Sequence, residues 1–98
     1  IRAGARGVIS VTANIDPARM AQFCDAALAG DWARAEALDA ILQPLHEVLF
    51  IESNPIPAKW ALGDMGMIDV GIRLPLTPLS ESCHDSVHRV LRELDLRA

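Results

Sequence analysis

The stretch Gly7-Val8-Ile9-Ser10-Val11-Thr12-Ala13 decides how the rest of the chain is read. It is rich in β-branched residues and apolar on both alternating faces, with Val8 pointing one way and Ile9 and Val11 the other. That pattern predicts a short strand covered on both sides, as in a parallel sheet. No second strong strand follows. Leu74-Pro75-Leu76-Thr77-Pro78 reads as extended, but its two prolines remove ladder donors and exclude a central strand. A lone buried strand leaves its peptide groups unpaired, which costs too much to persist. Its neighbours are therefore expected outside these residues. An opening at Ile1, with no initiator methionine, fits the same expectation of a segment from a longer protein.

Beyond residue 15 the sequence reads as punctuated helix. Asp16 is placed to cap a helix that starts at Pro17, carries Met20, Phe23, Cys24 and Leu28, and stops at Gly30. Asp31 follows at once as the next cap, so Ala29-Gly30-Asp31 predicts a tight turn between two helices. The second helix sets Trp32, Ala35, Leu38, Ile41, Leu42 and Leu45 at three-and-four spacing, with Pro44 expected to kink or interrupt it. Asn54-Pro55-Ile56-Pro57 is a rigid connector, because a residue before proline is pushed out of the α region. A short helix over 57–64 and a glycine-marked loop come next. The last helix starts near Ser80 and buries Val87, Val90, Leu91 and Leu94. One strand and about four helices fit the end of a (β/α) barrel with a helical appendage, although composition does not choose this over a doubly wound sheet.

Composition narrows the class. With 98 residues the chain is one small domain or a piece of a larger one, and 51% apolar with 22% charged residues excludes intrinsic disorder. No apolar run approaches the ~18 residues of a membrane span. The net charge is −4 and lysine plus arginine number only nine, so no basic field exists for nucleic acid. Cys24 and Cys83, far apart in a chain without secretory signals, read as reduced thiols of a cytoplasmic protein.

Residues that carry chemistry are few. Lys59 beside Trp60 is the sole lysine, but an amine nucleophile needs desolvation or a neighbouring cation, and nothing nearby supplies either. A structural or interface role is its default reading. His84 and His88 stand four apart next to Cys83, yet a metal site needs a third ligand, so packing or solvated histidines are expected. His46 is expected in core or interface packing, and Cys24 as an inert thiol on an apolar helix face. Asp25, Asp31, Glu36, Asp39 and Glu47 form no acid/base pair, and Gly4-Ala5-Arg6-Gly7 precedes its strand where a phosphate loop would follow one. Ser10, Thr12 and Asn14 close the expected strand. In a barrel, the carboxyl ends of strands face the active site, so this is the best location for substrate contact.

Three ordered motifs add a resemblance. Gly7-Val8-Ile9-Ser10-Val11-Thr12-Ala13-Asn14 is similar to the eighth-strand motif of the dihydrodipicolinate synthase family of pyruvate-dependent class I aldolases. Pro44-Leu45-His46 with Leu49-Phe50, then Glu52-Ser53-Asn54-Pro55-Ile56-Pro57-Ala58-Lys59-Trp60-Ala61, resembles a second family stretch. Ile72-Arg73-Leu74-Pro75-Leu76-Thr77-Pro78-Leu79 resembles a third. The motifs keep the family's order and spacing across nearly the whole chain. Ser53 departs from the proline expected before Asn54, and the residues after Ala61 are less typical.

The resemblance implies an α/β parent, a (β/α)8 TIM barrel with a C-terminal helical domain. Residues 1–30 would be its last strand and helix, and 31–98 the helical domain. It implies condensation of pyruvate, held as a Schiff base on a lysine, with aspartate semialdehyde on the way to diaminopimelate and lysine. No cofactor or metal is implied, and the family's usual homotetramer is expected. The Schiff-base lysine, the tyrosine proton relay and the substrate-holding arginine would lie upstream; this chain has no tyrosine. Lys59 matches a motif lysine of the helical domain instead. Ile9 matches the position whose backbone lines pyruvate, and Asn54 an asparagine that reaches toward the aldehyde substrate. No catalytic residue falls within these residues. A related pyruvate aldolase, such as an N-acetylneuraminate lyase, and a non-catalytic helical module pairing Gly7 to Ala13 with a partner's sheet edge are the alternative readings.

Overall fold

Caps written into the sequence set the helix boundaries. The computed structural model describes residues 1–97, and in these a 3-10 turn at Thr12–Asn14 precedes four helices: α1 (Pro17–Leu28), α2 (Trp32–Val48), α3 (Ile56–Asp64) and α4 (Glu81–Glu93). Asp16 caps α1 by accepting a hydrogen bond from the Arg19 amide at 3.2 Å, and Asp31 caps α2 through the Arg34 amide, also at 3.2 Å. Both satisfy donors that a helix start leaves orphaned. α1 ends on Gly30, whose φ of +77° lets its amide reach the Ala27 carbonyl while the Asp31 amide reaches that of Ala26. The same closing pattern recurs at the end of α3, with the Gly66 amide on Gly63 and the Met67 amide on Leu62.

α2 is the central post. Leu42, Leu45 and Leu49 are fully buried, and Val87 and Leu91 of α4 are buried in the same cluster with Ile15, Met20, Ile56 and Ala61. Each such aliphatic side chain contributes about 1.5–3 kcal/mol through burial. The upper part of the α1–α2 hairpin uses small residues, Ala26, Ala27 and Ala35, flanked by Phe23 and Trp32. Pro44 does not interrupt α2, which runs on to Val48. Ala40 and Pro44 are both exposed, so the carbonyl that loses its donor to the proline faces water.

Two expectations are corrected. The strand over residues 8–12 is not formed: residues 5–10 carry no regular secondary structure, and Thr12 begins the 3-10 turn. The cause is the absence of pairing partners. Among the described residues the amides of residues 5–10 donate to no backbone carbonyl, and Ile9 is fully exposed at 105%. The stretch 74–78, expected to be extended, holds a turn closed by the Leu76 amide on the Arg73 carbonyl, with a cis bond before Pro75.

Long-range polar contacts lock the pieces together. Asp16, 3% exposed, also accepts from the Arg19 guanidinium at 2.6 Å, and the same nitrogen donates to the Leu94 carbonyl at 3.0 Å. This ties the start of α1 to the end of α4. Glu52, in the α2–α3 loop, accepts hydrogen bonds from the hydroxyl of Ser80 and, at 3.1 Å, from its amide. The Ser80 hydroxyl first, then the amide, hold the Glu52 carboxyl below its ordinary pKa, with His84 adding a smaller effect.

Asp16→Ala removes a cap and an ion-pair partner together, so thermal or urea unfolding should show a loss of about 1–2 kcal/mol, with Asp16→Asn losing less because it keeps the cap. For Glu52 the lowered pKa fixes the sign. Its contribution is fully present above the usual glutamate value of about pH 4.3 and is lost as pH falls through the lowered pKa. Melting curves should therefore separate wild type from Glu52→Gln at neutral pH and converge in acid.

Candidate functional site

The candidate residues sit on two irregular segments held by the helical post. The first is the arm of residues 5–10. Its base is the Ser10–Asp16 turn, in which the Ala13 amide bonds to Ser10, and the Ile15 and Asp16 amides both bond to the Thr12 carbonyl at 2.9 Å. The Asn14 carboxamide donates to the Val11 carbonyl at 3.1 Å. Thr12 itself is 2% exposed, and its hydroxyl lies 2.6 Å from Nδ1 of His46 on α2. Of the three polar residues expected to face substrate, Thr12 is thus turned inward and Asn14 is spent on its own turn. Ser10 is half-buried. Ile9 projects from the arm with its side chain in water and its peptide groups unpaired.

The second segment is the connector after α2. The Ile56 amide bonds to the Ser53 carbonyl at 2.9 Å, the Asn54–Pro55 bond is cis, and the Glu52–Ser80 bridge anchors the loop from the α4 side. Asn54 is exposed, and among the described residues its carboxamide makes no hydrogen bond. A fixed backbone with a free amide is suited to holding a polar ligand group. Ile9 and Asn54 lie on separate segments, and neither lines either of two apolar grooves nearby. One groove, ≈480 Å³, runs between the arm and the α1–α2 hairpin past Val8, Phe23, Trp32 and Glu36; the other, ≈250 Å³, is lined by Lys59, Trp60, Val70, Ile72 and Leu79.

The histidines separate rather than converge. His84 stacks on Trp60 with ring centroids 4.6 Å apart, and its Nε2 donates to the Leu79 carbonyl at 2.9 Å. His88 Nδ1 meets an Asp64 oxygen at 2.8 Å, and Arg97 Nε lies 3.6 Å from the same oxygen. Among the described residues no three His, Cys, Asp or Glu side chains are grouped to hold a metal. Lys59 is exposed beside the Trp60 groove, and both cysteines are free and half-buried. The Thr12–His46 pair joins residues 34 positions apart, so no local spacing announces it. The Thr12 hydroxyl that meets His46 is buried away from solvent, so among the described residues it gives no accessible nucleophile–base pair; what these residues offer is an exposed backbone edge and one free carboxamide.

Comparison with known proteins gives these features a context. The model of the dihydrodipicolinate synthetase family matches residues 1–94. A 4-hydroxy-tetrahydrodipicolinate synthase of Alcanivorax borkumensis is 58% identical over 96 residues, covering 98% of this chain and 33% of the relative. That of Pseudomonas aeruginosa is 54% identical over 95 residues, 97% of this chain and 32% of the relative. Among solved structures, the chloride-inhibited dihydrodipicolinate synthase of Acinetobacter baumannii complexed with pyruvate superposes with a TM-score of 0.92 at 50% identity, covering 95% of this chain and 32% of that one. The Thermotoga maritima enzyme gives a TM-score of 0.94 at 41% identity, over 97% of this chain and 32% of that one. The chain thus spans about a third of the length of the relatives it matches, and with a family model accounting for nearly all of its residues it belongs to the dihydrodipicolinate synthetase family.

Proposed function

We propose that these residues form the C-terminal third of a lyase, a 4-hydroxy-tetrahydrodipicolinate synthase, that condenses pyruvate with aspartate semialdehyde in diaminopimelate and lysine biosynthesis. The observation that carries the reading is the family match over residues 1–94. The unpaired arm supports it physically. Among the described residues the amides of residues 5–10 donate to no backbone carbonyl, as expected of a barrel strand apart from its sheet. In this reading residues 1–30 complete a TIM barrel, residues 31–98 are its helical domain, and the complete enzyme is a cytoplasmic homotetramer.

The chemistry assigns this segment an orienting role. An amine from an upstream lysine adds to the pyruvate ketone, and uptake of a proton with loss of water gives a protonated Schiff base. That cation acidifies the methyl group, and loss of a methyl proton leaves an enamine that attacks the aldehyde carbon. None of these steps uses a side chain of this segment. The Ile9 backbone lines the bound pyruvate, and the free Asn54 carboxamide holds the aldehyde substrate. The exposure of Asn54, and its lack of a hydrogen-bond partner among the described residues, support that role.

The 98-residue chain alone should have no synthase activity, and treatment with pyruvate and borohydride should leave its mass unchanged. A trapped adduct on Lys59 would reassign the Schiff base. In the complete enzyme, Ile9→Val should leave the pyruvate KM nearly unaltered, with a packing cost of about 0.5–1.5 kcal/mol. Asn54→Ala should raise the aldehyde KM roughly 3- to 10-fold more than the pyruvate KM, as loss of one positioning hydrogen bond does. A lowered melting temperature with both KM values unchanged would leave Asn54 a purely structural residue.

A further inference from the structure

The arm that carries Ile9 has almost nothing of its own to hold it. Its amides are unpaired and Val8 and Ile9 are 55% and 105% exposed, so it is held from its two ends. At the far end Arg2 lies 3.4 Å from Glu36 and 4.5 Å over the Trp32 ring, both on α2. The buried junction, nearer Ile9, is Thr12. Its carbonyl accepts two amides, from Ile15 and Asp16, which close the turn locally. Its hydroxyl alone reaches outward, 2.6 Å to Nδ1 of His46 across 34 residues of sequence. His46 stands on the last turn of α2, between the fully buried Leu45 and the capping Leu49, also fully buried. A buried hydroxyl facing a ring nitrogen gives a directional bond that aliphatic packing does not supply.

We propose that His46 is a positioning residue, which latches Thr12 to α2 and thereby sets the Ile9 backbone in the register that receives pyruvate. The inference rests on the function proposed above, because it needs Ile9 at the pyruvate. The helical domain then does more than brace the barrel from outside. Through one side chain it fixes the end of the strand at which substrate is held, only three residues before Thr12. Thr12 suits the task because its methyl group packs as valine would, while its hydroxyl makes the bond.

The test pairs near-isosteric losses with conservative rescues. Thr12→Val and His46→Leu remove the bond; Thr12→Ser keeps the hydroxyl, and His46→Asn places a polar atom near the Nδ1 position. In the complete enzyme the first two should raise the pyruvate KM about 5- to 20-fold with little change in the aldehyde KM, and the rescues should return it to within roughly 2-fold of wild type. In the 98-residue chain, ¹⁵N heteronuclear NOE values at residues 9–11 should fall in Thr12→Val and recover in Thr12→Ser, with those of α2 unaltered. Equal shifts in both KM values, absence of rescue, or unchanged NOE values at the arm would overturn the latch. If the complete wild-type protein shows no pyruvate-dependent activity, the proposed function fails, and the NOE comparison still decides whether Thr12 and His46 hold the arm.

Discussion

A peptide group removed from water must find a partner, and this requirement divides the chain in two. In the four helices it is met internally: side-chain caps close the starts of α1 and α2, and left-handed residues close the ends of α1, α3 and α4. Residues 5–10 do not meet it. Residues 5–9 are exposed, and the amides of residues 5–10 donate to no backbone carbonyl among the described residues. A β-rich run in that state is stable only in solvent or against other strands, and the apolar character of Val8 and Ile9 argues for strands.

The helical body depends in turn on α2. Its leucines meet α4, the loop after it carries Glu52 to the start of α4, and its His46 reaches back to the base of the arm. The ion pair of Asp16 and Arg19, extended to the Leu94 carbonyl, closes the circuit between the first helix and the end of the last. Arm and connector loop are thus irregular but anchored at identifiable atoms, which is what a segment needs in order to present a backbone edge and a carboxamide in fixed places.

Much of this was legible from residues alone, because local signals governed it. Asp16-Pro17, Ala29-Gly30-Asp31 and Ser80 marked helix ends that the structure reproduces within a residue. The buried set Val87, Val90, Leu91 and Leu94 followed from periodicity. Pro44 did not interrupt α2, since an exposed proline late in a helix whose core face is heavily buried is tolerated. The strand misled: β character predicts what residues 8–12 do beside other strands, and among the described residues no strand lies next to them. The site was less legible. Ile9 and Asn54 came from family resemblance, and exposure alone would not have singled them out. The pairings Thr12–His46, Trp60–His84 and His88–Asp64 join distant positions, so they became visible only once α2, α3 and α4 were packed.

The central claim is that the arm is a barrel strand separated from its sheet. Amide hydrogen exchange at residues 6–10, measured in this chain alone and again in the complete protein, tests it most directly. Rapid exchange in the isolated chain and strong protection in the complete protein are predicted. Exchange equally rapid in both would show that these residues pair with nothing, and the barrel reading would not stand.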